Sequence, residues 1–230
     1  MLTAFEPGLQ WYADKLTRRE PFSFVRYGDG EFDCILKLGR SEGGRAQKCL
    51  PDLVQALGES LTQKRSGEYY PAMNPGHMSR IRMLPKIEAW LVRNAPGLNW
   101  HLCPVFCRAS IKGSLFPLVQ ALGQQRVVVV GPPWLKALPF ADEFVPVRSS
   151  GCWVDADAVV EQLRDMKDVV ISFSAGPTAK VLIHRLQPIL GEHSSLIDFG
   201  SLWDVYCGRK TRGYHGRLTA ETLRKNLTGK

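Results

Sequence analysis

No stretch of this 230-residue chain approaches the roughly 18 consecutive apolar residues that a membrane-spanning helix needs. The N-terminal residues MLTAFEPGLQWYADK lack the basic-then-apolar pattern of a secretory signal, so a cytoplasmic location is expected. There is no G-x-x-x-x-G-K-[ST] phosphate loop, no internal repeat, no low-complexity tract and no linker long enough to divide the chain. Cysteine is sparse, with six residues at 34, 49, 103, 107, 152 and 207. Cys103 and Cys107 have no second cysteine pair to complete a zinc site. A chain this long and core-rich does not need bridges, and free thiols are expected. Acidic residues are in the minority, 22 against 30 basic ones, which leaves a net charge of +8 and a pI near 9.3. That balance suits an anionic partner, whether a nucleotide diphosphate, nucleic acid or an acidic membrane surface, without choosing among them.

What remains is ordinary globular composition, 44% hydrophobic and 23% charged, over a length typical of one α/β domain spanning 1–230. Apolar runs alternate with segments of helical spacing. FSFVRY (22–27), RVVVV (126–130), VVISF (169–173) and LIDF (196–199) read as strands, with weaker strands near 68–70, 100–106 and 143–147. The continuous β-branched runs 126–130 and 169–173 have the pattern of strands buried on both faces of a parallel sheet. Helices are expected over 31–38, from Pro51 onward, over 81–92 with a kink at Pro85, and over 110–122, 154–166 and 180–190. The loop SEGGRAQK (41–48) is polar and glycine-rich, and from about residue 207 the chain becomes basic and weakly patterned, as a solvated, partly frayed tail would be. Strands alternating with helices predict a doubly wound, Rossmann-like, largely parallel sheet. Ligands of such sheets bind at the carboxyl ends of the strands.

Three loops fall at such ends. In RYGDGEF, Asp29 and Glu31 follow a strand and are separated by one glycine. A turn there can aim two hard oxygen donors at one Mg²⁺ or Mn²⁺ shared with substrate phosphates, while Gly28 and Gly30 let a ligand approach the backbone. The same residues also read as a plain Gly-Asp-Gly turn with Glu31 opening a helix, and the pattern leaves both readings open. In SAGPT, the turn Gly176-Pro177-Thr178 opens a helix whose first amide groups can receive an anion, or is a simple proline-started helix. In DFGSLWDVYCG, Asp198 and Asp204 can each act as a general base or accept a sugar hydroxyl, against helix-cap and surface-turn alternatives. Trp203 and Tyr206 can wall a ligand or fill the core. Arg26 and Arg108 each close an apolar strand in this reading, where a guanidinium can pair with phosphate oxygens or with a surface carboxylate.

SFVRYGDGEF, followed in order by ISFSAGPTAKVLIHRL and LIDFGS, resembles the motifs of the GT-D-fold glycosyltransferases, a family once catalogued only as a domain of unknown function. The likeness covers about residues 22–206 and falls on Arg26 to Glu31, on Gly176, Pro177 and Thr178, and on Asp198 and Gly200, with Arg108 where members often carry an arginine. It implies a metal-dependent transfer from a nucleotide-sugar, UDP-linked by expectation, to the hydroxyl of a glycan, glycoprotein or nucleic-acid acceptor. Asp29 and Glu31 would hold manganese or magnesium. Arg26, Gly28, Gly30, Arg108 and the Gly176–Thr178 turn would contact the diphosphate, and Asp198 or Asp204 would take the acceptor's proton. Ser201-Leu202-Trp203-Asp204 and the basic tail depart from the family pattern, and they are where acceptor identity would lie. Other readings are phosphoryl transfer at the same carboxylates, transfer to modified DNA bases, and a non-catalytic nucleic-acid-binding module.

Overall fold

The computed structural model describes residues 2–39, 49–63 and 68–230, so the loop expected at 41–48 lies outside the described residues. Seven strands form one sheet: β1 (Ser23–Arg26), β2 (Tyr69–Met73), β3 (His101–Leu102), β4 (Arg126–Gly131), β5 (Glu143–Pro146), β6 (Val169–Phe173) and β7 (Ser195–Asp198). Their order is β3-β2-β1-β7-β6-β4-β5, and every pairing is parallel. The two-residue period of the strands divides the core. Val25, Val128 and Val130 pack on one side, while Phe24, Val127 and Val129 pack on the other. This explains why the apolar runs are continuous rather than alternating, since both faces are covered by helices.

On the first face lie α2 (Asp29–Leu36), α3 (Pro51–Thr62), α5 (Leu84–Asn94), α8 (Ala156–Leu163) and α9 (Thr178–Leu190). On the second lie α1 (Leu9–Thr17), α6 (Val105–Ile111) and α7 (Phe116–Leu122). The short α4 (Pro75–Arg80) follows β2, and α10 (Ala220–Thr228) packs on α6 and α7.

Several local expectations change. Pro85 sits in the first turn of α5 rather than kinking a longer helix, because proline lacks only an N–H that is unpaired there anyway. The chain reverses just before it, with Arg82 in the left-handed region at φ 59°. The strand expected over 100–106 shrinks to two residues, because Pro104 caps α6 and the chain turns helical at Val105. Arg108 therefore lies on a helix and not at a strand end.

The cysteines do not all stay free. Cys34 in α2 is bonded to Cys49 ahead of α3, across a sequence separation of 15, while Cys103, Cys107, Cys152 and Cys207 are free thiols. The two cysteines fall where α2 and α3 pack side by side, which spacing along the chain does not reveal. The expectation of free thiols therefore fails for Cys34 and Cys49. Among the described residues, no helix is long and apolar enough to cross a membrane.

The C-terminal segment is ordered rather than frayed. The Asn226 side chain is fully buried, accepts from the Leu115 N–H at 2.9 Å, and donates to the Ser110 carbonyl at 2.8 Å and the Tyr206 hydroxyl at 2.9 Å. Thr219 caps α10 by accepting from the Thr222 N–H at 3.1 Å.

Candidate functional site

β1 and β7 lie side by side at the centre of the sheet. From β1 the chain moves outward through β2 and β3, and it returns through β6 and β7 to β1's other edge. Their carboxyl ends therefore flank the crevice at the switch in strand order. Arg26 closes β1 and Asp198 closes β7.

Three residues beyond Arg26, α2 begins. Glu31, third in the helix, turns back so that Oε2 accepts from the Gly28 N–H at 2.7 Å. A β-carbon at residue 28 would stand 3.0 Å from that oxygen, so a glycine fits the turn. The other carboxylate oxygen, Oε1, lies 2.9 Å from the ammonium of Lys180, on the first turn of α9. The same ammonium lies 2.9 Å from Asp198 Oδ2 and donates to the Gly176 carbonyl at 3.0 Å. Asp198 is 0% exposed; its Oδ1 accepts from the Gly200 N–H at 2.9 Å, and its Oδ2 also accepts from the Arg26 N–H at 3.3 Å. The Arg26 guanidinium donates from Nη1 to the Phe199 carbonyl at 2.7 Å and lies against Gly200, where a β-carbon would come within 2.6 Å of Nη1. Gly200 also has φ +56°, so a glycine is required there on both counts.

The result is a buried cluster of two carboxylates and two cations. Burial pushes the Glu31 carboxyl up, but the Lys180 ammonium and the Gly28 N–H outweigh it and hold it below its usual 4.5. Burial pulls the Lys180 ammonium down, but Asp198 and Glu31 outweigh that and hold it above 10.5. The signs follow from linkage. Glu31's contribution to stability is present above pH 4.5 and is lost as pH falls through its lower folded value. Lys180's is present below 10.5 and is lost as pH rises through its higher folded value. The wild type is therefore expected to melt at falling temperature below pH 4.5. Glu31→Gln should flatten that acid limb, as a melting series across pH would show, and equal acid slopes would refute the link.

The residues expected from sequence do not all reach this place. Asp29 and Glu31 share the first turn of α2 but not one face: the helix starts at Asp29, and residues two apart on a helix point about 200° apart. Asp29 keeps 64% of its side chain exposed, with Oδ2 3.8 Å from His77 Nε2, while Glu31 is enclosed with both oxygens engaged. Arg108 is exposed on α6 and pairs with Glu6 at 2.9 Å. Asp198 has no oxygen to spare for an acceptor hydroxyl. Asp204 is buried as well. It accepts from Trp134 Nε1 at 2.9 Å and from the Thr211 hydroxyl at 2.5 Å, and so ties the C-terminal segment down. In the Gly176-Pro177-Thr178 turn, the Gly176 carbonyl serves Lys180, and the buried Thr178 hydroxyl accepts from the Cys152 thiol at 3.4 Å. Trp203 is core, fully buried against Phe140 and Phe199. Gly30 faces open space.

Lys180 is the residue the sequence reading passed over. Its one signal is a charge beside Val181, Leu182 and Ile183, at the start of a helix that the flanking strands bury. The C-terminal segment was also undervalued. Tyr214 accepts from the Cys107 thiol at 3.5 Å, and Arg212 Nε reaches Ser201 Oγ at 3.3 Å, so residues 211–214 lie beside the end of β7.

Of the two carboxylates expected to hold a divalent cation, one is accessible and one is enclosed. Among the described residues, no three His, Cys, Asp or Glu side chains are grouped to hold one. Asp29 is the accessible carboxylate of the pair, a hard oxygen donor suited to Mg²⁺ or Mn²⁺ when phosphate oxygens supply the remaining ligands.

No family model and no curated protein matches this sequence. The fold, however, is shared with solved structures. A glycosyltransferase (DUF1792) from Streptococcus sanguinis aligns with a TM-score of 0.65 at 18% identity, over 89% of this chain and 84% of that one. A structure of the domain of unknown function 1792, described as having a distinct glycosyltransferase fold, aligns with a TM-score of 0.65 at 15% identity, over 97% of this chain and 90% of that one. At these identities the likeness establishes the fold.

Proposed function

We propose that this protein is a glycosyltransferase that takes a sugar from a nucleotide-sugar donor, UDP-linked in the first instance, and passes it to an acceptor hydroxyl. The observation that carries this reading is at the end of β1. There the accessible carboxylate of Asp29 follows, within three residues, a guanidinium whose Nε is buried and unpartnered among the described residues. A buried donor of that kind calls for an acceptor, and a phosphate oxygen is one. The Ser174 hydroxyl, just past the end of β6, is likewise buried and unpartnered among the described residues.

In the transfer, the bond from the anomeric carbon to the diphosphate breaks and the nucleoside diphosphate leaves with the electron pair. The acceptor oxygen bonds the anomeric carbon and its proton passes to water, since Asp198 and Asp204 are both engaged within the protein. Arg26 would stabilise the charge that develops on the diphosphate, from a position already fixed by Phe199 and Gly200. A Mg²⁺ or Mn²⁺ ion bound with the donor would be held by Asp29 and would neutralise the same leaving group.

The acceptor side is read from the C-terminal segment. Arg209, Lys210, Arg212 and Arg217 are exposed and form no ion pair among the described residues, whereas exposed Arg108, Arg126, Arg148 and Arg164 each have an acidic partner. Cations without an acidic partner, in the segment that passes the end of β7, favour an acceptor that carries negative charge, nucleic acid included.

Incubation with a panel of UDP-sugars and Mn²⁺, scored by release of UDP and by labelled product, tests the activity. No release from any donor would overturn it. Asp29→Asn is expected to weaken Mn²⁺-dependent UDP binding by more than about tenfold, or about 1.4 kcal/mol. Its melting temperature should stay at the wild-type value, because the side chain is exposed. Calorimetry with UDP and MnCl₂ reads the first and a thermal melt the second. Equal affinities would remove Asp29 from the site.

A further inference from the structure

We propose that Lys180 is the positioning residue of the donor site, and that Glu31 acts through it rather than as a metal ligand, so that Asp29 is the one carboxylate of the pair to meet a cation. This rests on the nucleotide-sugar reading above.

The geometry carries it in three steps. First, an ammonium has three N–H groups, and those of Lys180 have three oxygens around them: Glu31 Oε1, Asp198 Oδ2 and the Gly176 carbonyl, at 2.9, 2.9 and 3.0 Å. Nothing is left over for substrate, so Lys180 acts only on the protein. Second, both oxygens of Glu31 are engaged, Oε1 by Lys180 and Oε2 by the Gly28 N–H. A divalent ion on Oε1 would stand beside a fixed positive charge in a buried setting, where like charges repel strongly. The cluster is already balanced, with Arg26 and Lys180 against Glu31 and Asp198. Third, the three oxygens belong to the start of α2, the end of β7 and the turn between β6 and α9. One ammonium therefore ties together the segments that follow β1, β6 and β7, neighbouring strands in the sheet. The setting of α2 against β7 decides where Asp29, at the first position of α2, stands relative to Arg26.

The test uses the full chain with Asp29→Asn, Glu31→Gln, Lys180→Met and the Glu31→Gln/Lys180→Met double variant. Mn²⁺ affinity in the presence of UDP is measured from the free-ion electron paramagnetic resonance signal, below the melting range of each protein. Glu31→Gln is expected to stay within about twofold of wild type, while Asp29→Asn falls more than about tenfold. A fall in Glu31→Gln that matches Asp29→Asn would overturn the proposal and return Glu31 to the metal. In thermal melts the double variant is expected to exceed Lys180→Met, because removing Glu31's charge relieves the repulsion left when the ammonium is gone. A double variant that melts lower than Lys180→Met would also overturn it. If Lys180→Met does not fold and the double variant does, the coupling is shown; if neither folds, the Mn²⁺ comparison decides. A wild type that binds no Mn²⁺ with UDP would instead sink the cation reading of the preceding section, and the melts would then judge Lys180 by themselves.

Discussion

Lys180→Met is expected to lower the stability of the protein by about 3–5 kcal/mol at neutral pH, the usual cost of removing one partner from a buried ion pair. For a chain of this size that corresponds to roughly a 6–20 °C drop in melting temperature. The side chain is 5% exposed, and methionine fills nearly the same volume, so lost packing contributes little. The effect is electrostatic: the carboxylates of Glu31 and Asp198 remain enclosed without their shared cation. A control follows from that cause. Once Lys180 is gone, burial pushes the Glu31 carboxyl up without the ammonium to oppose it, so acidification protonates it sooner and narrows the gap between variant and wild type. Denaturant titrations at pH 7 and pH 4.5 read both quantities. A gap that is small at neutral pH, or that does not narrow in acid, would show that the cluster contributes nothing to holding the crevice together.

Asn226→Ala is expected to cost about 1–3 kcal/mol, although the residue lies four positions before Lys230. The substitution strips partners from the buried Leu115 N–H and from the Ser110 carbonyl, and the cost is that of the desolvation left uncompensated. The Tyr206 hydroxyl keeps Ser110 Oγ at 2.7 Å and so loses only one of two contacts. Deleting residues 209–230 should be worse. It also removes the Thr211 hydroxyl from Asp204 and uncovers Phe116, against which Gly229 packs. Truncation is expected to abolish a single cooperative melt, while Arg224→Ala, exposed on the outer side of α10, leaves melting unchanged. A truncated protein that melts with the wild type would mean that the segment is peripheral after all.

The amino-acid sequence by itself determined the class of fold and the place of the crevice. Buried runs such as Val127–Val130 and Val169–Phe173 have no period other than that of a sheet covered on both faces, and the glycine turns at 28–30 and near 200 mark strand ends. Hydrophobic pattern and turn chemistry are local, so they can be read along the chain. The roles of the polar residues were decided by the tertiary structure. Asp29 and Glu31 look equivalent in the sequence, yet one faces solvent and the other an ammonium 149 positions away, because the helix begins two residues earlier than the pattern suggested. Arg108 looked like a phosphate ligand until Pro104 turned its strand into a helix. Asp198 and Asp204 looked like bases until burial and five hydrogen-bonding or ionic partners left neither an open oxygen. Lys180 and Asn226 gave little sign of importance at all. Partners in a buried polar network come from distant segments, and a carboxylate's chemistry depends on burial and on which cation or N–H stands within about 3 Å, a distance that spacing along the chain does not encode.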